Sequence, residues 1–198
     1  MQASNDYYLI VDTETAGLPQ NWKAPISDSR NWPRMVQLAW SMYDGRGQRI
    51  ESKSFIIRPE GFTIPATAAA VHGITTERAL IEGVSLSSVL EAFVECLHQS
   101  QMIVAHNINF DAKIIGAELF RLNSPVQLMA KPQVCTMQAS TNYCKIPGRY
   151  GYKWPTLTEL HDVLFATGFE GAHDAMNDVN ACAKCFFALK ERGVFAVA

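Results

Sequence analysis

Apolar residues in this chain occur either as short continuous runs or as stripes with a helical period. The runs at 7–11, 35–43 and 102–105 consist mainly of β-branched, aromatic and long aliphatic residues, which is typical of buried strands. The second run is followed by the turn sequence Asp-Gly-Arg-Gly at 44–47, which predicts a hairpin with a further strand at 49–58. The chain is therefore expected to build a β-sheet that begins as a meander.

Helical periodicity is clearest after residue 84. Residues 85–99 place apolar side chains at intervals of three and four, which predicts an amphipathic helix. Another helix is expected from Ile108, with Asn107 as its cap. The remaining predicted elements are a short strand at 134–136 and helices at 65–71, 157–166 and 175–192. Strands and helices in this order predict an α/β protein.

Composition agrees with a soluble globular protein. The 198 residues are 48% hydrophobic and 18% charged, which supplies enough apolar side chains for a buried core. No apolar run approaches the ~20 residues of a membrane span, and the run at 7–11 lacks the basic lead-in of a signal peptide. The five cysteines are odd in number and widely spread, which favours reduced thiols and a cytoplasmic protein. We predict a single domain over residues 1–198.

Acidic residues gather where predicted strands end. Asp12 and Glu14 stand at i and i+2 after the first strand, so their carboxylates point to the same side. Asp111 lies one turn into the helix after a buried strand, and Asp178 lies on the apolar stripe of the last helix. Each acid alone is explained as well by a helix cap or a salt bridge. Together the four carboxylates repel one another, so a cation is expected between them. Carboxylate oxygens suit Mg²⁺ or Mn²⁺. His173 is better placed for proton transfer than for binding a metal.

Three short segments resemble the motifs of a known family. They are Val-Asp-Thr-Glu-Thr at 11–15, His-Asn-Ile-Asn-Phe-Asp at 106–111, and the pair His173 and Asp178. In this order and spacing they resemble the motifs of the DEDD exonucleases. The histidine five residues before the last aspartate resembles the DEDDh branch, which includes proofreading 3′→5′ exonucleases. The resemblance extends over residues 7–187.

The resemblance implies a ribonuclease H-like fold, with a mixed β-sheet flanked by helices on both sides, and a two-metal mechanism. Two Mg²⁺ or Mn²⁺ ions ~3.5–4 Å apart stabilise both the attacking and the leaving oxygen of an in-line displacement. The implied metal carboxylates are Asp12, Glu14, Asp111 and Asp178, and the implied general base is His173. The implied contacts with the terminal nucleotide are Thr13, Thr15, His72, Asn107 and Phe110.

The implied function is a 3′→5′ exonuclease that releases nucleoside monophosphates from the 3′ end of DNA or single-stranded nucleic acid. An exoribonuclease that trims RNA 3′ ends is the alternative within the same chemistry, because sugar discrimination depends on packing around one hydroxyl. A non-catalytic module that binds nucleic acid or a polymerase is a third hypothesis, and the complete set of acids disfavours it. The net charge of −2 gives weak overall attraction to nucleic acid, which bound cations would reverse locally. An extended tail for binding a polymerase is not expected.

Two stretches lack a regular period, at 18–34 and 143–154. The first is rich in Pro, Trp, Asn and Ser, and the second interleaves aromatic and basic residues. Aromatic rings beside positive charge suit single-stranded nucleic acid, because every base offers a face for stacking. A solvated loop with some aromatics turned inward explains the pattern equally well. The residues expected to hold a substrate strand are Trp22, Lys23, Arg30, Trp32, Arg34, Arg149, Tyr150, Lys153 and Trp154.

Overall fold

A mixed β-sheet forms the centre of the computed structural model, which describes residues 7–169 and 171–195. Within these ranges the main strands are β1 (Tyr8–Thr15), β2 (Met35–Tyr43), β3 (Arg49–Ile56), β4 (Met102–Ala105) and β5 (Gln133–Cys135). Their order across the sheet is β3-β2-β1-β4-β5. β2 runs antiparallel to both β1 and β3, whereas β4 is parallel to β1 and β5 is parallel to β4.

Helices cover both faces of this sheet, which confirms the predicted α/β fold. They are α1 (Ala66–His72), α2 (Thr76–Glu82), α3 (Leu86–Gln99), α4 (Ile108–Arg121), α5 (Thr136–Cys144), α6 (Leu157–Phe165) and α7 (Ala175–Glu191). Leu9 and Val11 of β1 join the core on the face covered by α3 and α4, and Tyr8 and Ile10 pack with α7. Among the helices of the described ranges, none combines the length and apolar character needed to cross a membrane.

Several elements differ from the prediction. β1 continues to Thr15 instead of ending near residue 11, so the first two acids lie within the strand. The helices α2 and α5 were not predicted. The segment 143–154, which was predicted to be a loop, contains the end of α5 and a small hairpin. The strands of this hairpin are β6 (Pro147–Gly148) and β7 (Gly151–Tyr152). The predicted side-chain cap by Asn107 is wrong. Its φ of 74° is left-handed, whereas a capping residue needs extended backbone.

The segment 18–34 has neither helix nor strand, yet it is firmly attached to α4. Glu118 of α4 is fully buried, and its Oε1 accepts a hydrogen bond from Arg34 at 2.9 Å. Arg121 donates to the carbonyl oxygen of Trp32 at 2.6 Å, and the Trp32 side chain is 2% exposed. The prediction that Trp32 and Arg34 face a substrate strand is therefore wrong. One is a core residue and the other neutralises a buried carboxylate.

Candidate active site

The second half of β1 carries the first two acids of the site. Side chains alternate along a strand, so Asp12 and Glu14 share the face of Tyr8 and Ile10, which is the face that α7 covers. The register between β1 and β4 ends at the pair Ile10 and Val104. Beyond this pair the acid-bearing end of β1 has an open edge, where backbone groups need other partners.

Asp111 occupies this open edge. It is buried in the first turn of α4, and its Oδ1 accepts two hydrogen bonds from Thr13, one from the backbone N–H at 3.0 Å and one from the hydroxyl at 2.8 Å. The left-handed backbone of Asn107 redirects the chain from β4 into α4 just before this acid. Thr13 therefore positions an acid of the cluster, a role that the sequence reasoning missed.

The start of α7 completes the cluster. Asp174 caps the helix by accepting hydrogen bonds from the next turn, and His173 before it is exposed with a left-handed φ of 70°. The backbone N–H of His173 donates to Oδ2 of Asp178 at 3.0 Å. Ligand atoms of Glu14, His173 and Asp178 all lie within 4.8 Å of one another. The site thus joins side chains from β1, α4 and the start of α7.

Burial and mutual repulsion raise the pKa of all four acids. Burial, and then the charges of Asp111 and Asp178, raise the pKa of Asp12 well above its usual range. Burial, with the charge of Asp178, raises the pKa of Glu14 to about 8. Burial raises the pKa of Asp111 to about 7 despite the hydrogen bonds from Thr13, and it raises the pKa of Asp178 as well. Such a cluster of carboxyl groups fits a divalent cation, because the positive charge would offset the free-energy cost of ionising them.

Asp174 adds to this field although the sequence reasoning did not select it. Its charge raises the pKa of Asp12 and Glu14 after the larger effects of burial and the other acids, and it raises the pKa of Asp178 after burial. It also accepts backbone hydrogen bonds from Met176 and Asn177 at 3.1 Å each. Asp174 directly follows His173 and caps α7. Because Asp is a common residue just before a helix, the sequence contained a signal for this position.

The metal-free protein is expected to lose stability as the pH rises from about 4 to about 8. The folded pKa values of Glu14 and Asp111, about 8 and about 7, lie above those of the unfolded chain. Between the unfolded and folded values the folded state binds more protons, so the free energy of unfolding falls with rising pH. Urea unfolding in EDTA across this range measures the slope.

Glu14→Gln should flatten this slope, because it removes one of the acids whose pKa is raised in the folded protein. Excess Mg²⁺ should also flatten it, since the ligands bind the ion only when deprotonated. A free energy of unfolding that rises steadily between pH 4 and pH 8 in EDTA would contradict the raised pKa values.

Thr15 and His72 lie beside the acids. Thr15 is buried at the end of β1, and its hydroxyl donates to the carbonyl oxygen of Gly17 at 2.6 Å, which shapes the turn after the strand. His72 ends α1 and is buried, and its Nδ1 accepts a hydrogen bond from the N–H of Ile74 at 3.1 Å. Within the part of the chain that the structure describes, its Nε2 makes no hydrogen bond of good geometry. Burial lowers the pKa of His72, and a hydrogen bond with the backbone of Thr15 opposes this shift.

An aromatic pair flanks the other side of Asp111. The rings of Phe110 and Trp22 lie 5.7 Å apart between centroids, and Trp22 keeps 44% of its surface exposed. Nζ of Lys113 donates to the carbonyl oxygen of Trp22 at 2.7 Å, so α4 holds both members of the pair. The backbone of Asn107, half-buried, lies one turn before Phe110. The ring planes are tilted by 44° and together offer an apolar surface at the start of α4, where Asp111 follows Phe110.

Comparison with known proteins gives a family match and a shared fold. Residues 9–186 match the family model RNase_T, described as exonuclease. An uncharacterized exonuclease of Escherichia phage 186, CP81, is 26% identical over 204 residues, which cover 95% of this chain and 90% of that protein.

Solved structures of E. coli exonuclease I have the same fold. The complex with a 5cy-dT13 oligonucleotide has a TM-score of 0.76 at 18% identity, covering 96% of this chain and 42% of that one. The zinc-bound complex with single-stranded DNA has a TM-score of 0.73 at 20% identity, covering 96% and 41%. The chain thus spans about two fifths of the length of exonuclease I. The ribonuclease H-like fold expected from the sequence is confirmed.

Proposed function

We propose that this chain, which belongs to the exonuclease family, is a 3′→5′ exonuclease of the DEDDh branch and that its substrate is single-stranded DNA. The observation that carries the proposal is the convergence of four acids and one histidine at the end of β1. Structures of E. coli exonuclease I hold dT13 and dA16 oligonucleotides in the same fold, which supports DNA as the substrate class. The family match over 9–186 supports treating residues 1–198 as one exonuclease domain.

In this proposal Asp12, Glu14, Asp111 and Asp178 hold two Mg²⁺ or Mn²⁺ ions. The donor set fits, because all four are carboxylates whose pKa values are raised by burial and, to a smaller extent, by the charges of neighbouring acids. When bound, such ions stabilise the charge that develops on the attacking and leaving oxygens. Asp111 is fixed by Thr13 before any ion arrives, so this ligand needs no rearrangement.

His173 acts as the general base, taking a proton from the attacking water at an imidazole nitrogen. Its exposed position at the start of α7 and the proximity of its ring to Glu14 and Asp178 support this role. The backbone hydrogen bond to Asp178 holds the residue in place while the side chain is free to approach the water.

The 3′-terminal nucleotide is assigned to the surface between the aromatic pair and His72. Phe110 and Trp22 present ring faces for the base. Nε2 of His72, which makes no hydrogen bond of good geometry within the described residues, supplies a donor for a phosphate or sugar oxygen. Thr15 and Asn107 shape the two turns that border this surface.

A time course on labelled oligonucleotides tests the proposed function. DNA and RNA of the same sequence, labelled at the 3′ or the 5′ end, are incubated with Mg²⁺ or with EDTA. The 3′-labelled DNA should release labelled mononucleotide first, the 5′-labelled DNA should shorten stepwise, and EDTA should stop both reactions. A blunt duplex serves as the control and should be degraded more slowly than the single strand. Faster shortening of RNA than of DNA would favour the exoribonuclease alternative.

A further inference from the structure

We propose that the aromatic hairpin, defined as residues 147–154, is a second contact for the substrate strand, upstream of the 3′-terminal nucleotide. This inference rests on the proposed function and extends it to a separate part of the molecule. Tyr150 is 89% exposed, Trp154 60% and Tyr152 51%. Single exposed apolar residues are common on proteins, but three large rings within five residues form a patch that calls for a partner.

The hairpin presents these rings on an ordered frame. β6 and β7 pair Pro147 with Tyr152 and Gly148 with Gly151, which leaves Tyr150 in the tight turn at the tip. A Cβ on Gly148 would come within 3.0 Å of the Gly151 carbonyl oxygen, so the two strands approach as closely as backbone allows. Gly151 has a φ of 125°, which favours glycine. Because the backbone is ordered in this way, the hairpin itself loses little conformational freedom when a base stacks on its rings.

A half-buried histidine, His106, joins the residue after the hairpin to the end of β4. Nε2 of His106 lies 3.0 Å from the carbonyl oxygen of Pro155, and Nδ1 lies 3.0 Å from the hydroxyl of Thr136. A carbonyl oxygen only accepts, so Nε2 carries the proton and Nδ1 accepts from the hydroxyl. Burial lowers the pKa of His106 to about 4, which keeps this arrangement neutral and intact at ordinary pH.

The hydrogen bond between His106 and Pro155 brings Trp154 close to the turn at Asn107. Pro155 follows Trp154 directly, and His106 directly precedes Asn107, where the chain turns into the helix of Phe110 and Asp111. A strand whose terminal base lies on the aromatic pair therefore meets the hairpin with nucleotides further from its 3′ end.

The charges on the hairpin favour a nucleic acid over an apolar partner. The guanidinium of Arg149 lies 5.1 Å from the ring centre of Tyr150, so a phosphate contact and a stacking face stand side by side. Lys153, which the sequence reasoning also selected, is instead paired with Glu159 at 2.5 Å and is not counted among the phosphate contacts. Exposed rings beside a cation fit unpaired bases, because the bases of a duplex are already stacked on one another.

The test compares Tyr150→Ala, Trp154→Ala and the double variant with the control Phe120→Ala, which removes an exposed ring on α4 outside the hairpin. Binding of a 5′-fluorescent oligothymidylate of about 20 nucleotides, which exceeds the roughly 4 to 16 nucleotides of typical strand-binding sites, is measured in EDTA. Each hairpin substitution should raise its Kd by roughly 5- to 100-fold, the usual contribution of one stacked base. The control should leave the Kd unchanged. Melting temperatures verify that all variants are folded.

Activity on short and long substrates separates this inference from the proposed function. The hairpin variants should raise the KM for the long strand and leave turnover of a thymidine dinucleotide unchanged, because a dinucleotide does not reach the hairpin. An unchanged Kd and KM for the long strand, or equal losses on both substrates, would overturn the second contact. If the unmodified protein hydrolysed neither substrate, the proposed function would fail while the binding measurement still decided the role of the hairpin.

Discussion

Asp12→Asn is expected to lower the rate of DNA hydrolysis by about 10³-fold or more and to stabilise the metal-free protein. Asp12 lies at the centre of the cluster, where burial and the charges of Asp111, Asp178 and Glu14 raise its pKa. An amide removes one of these repelling charges and also removes a ligand from the ions that stabilise the transition state. Rates of 3′-end release and thermal unfolding in EDTA measure the two effects.

Asp162→Asn is the matched control, because Asp162 is exposed on α6 and does not contribute to the cluster field. This variant should keep normal turnover. Mg²⁺ should raise the melting temperature of the unmodified protein and of the control by linkage, and that of Asp12→Asn much less. Near-normal hydrolysis by Asp12→Asn would show that the metal site has been assigned to the wrong acids.

His173→Ala should lower turnover by roughly 10²- to 10⁴-fold, the usual contribution of a positioned acid–base group. The stabilisation by Mg²⁺ should be retained, because the proposed metal ligands are the four carboxylates. Turnover under saturating DNA and the melting temperature with and without Mg²⁺ are the two measurements.

His98→Ala is the control for this variant, since His98 is exposed near the end of α3, outside the cluster. The ring of His173 lies close enough to Glu14 and Asp178 to bind an ion with them. If His173→Ala abolished stabilisation by Mg²⁺ but reduced turnover only slightly, the residue would be a ligand and not a base.

The central strands were predictable because they are buried on both faces. β2 and β4 read as continuous apolar runs, and their predicted bounds, 35–43 and 102–105, agree with the structure. α2 and α5 gave no such signal. In α2 only Ala79 is buried, and the buried residues of α5 are Thr136 and Ser140, so neither helix has an apolar stripe.

The acids could be selected from strand alternation and motif spacing, but their supports could not. The hydrogen bonds from Thr13 to Asp111 join residues 98 positions apart, and no local pattern announces them. Trp32 and Arg34 were misjudged for a related reason. Composition does not reveal that Glu118 is buried and that its ion pair with Arg34 holds the segment 18–34 against α4.

The site depends on α7, which is synthesised after the other helices of the described residues. A chain leaving the ribosome presents β1 and α4 first, with three of the four acids, while α7 is still to be made. Until α7 docks, Asp178 and His173 are absent from the cluster, and Tyr8 and Ile10 lack the cover that α7 gives them. A nascent chain therefore carries an incomplete site until α7 has been synthesised and has packed against Tyr8 and Ile10 of the sheet.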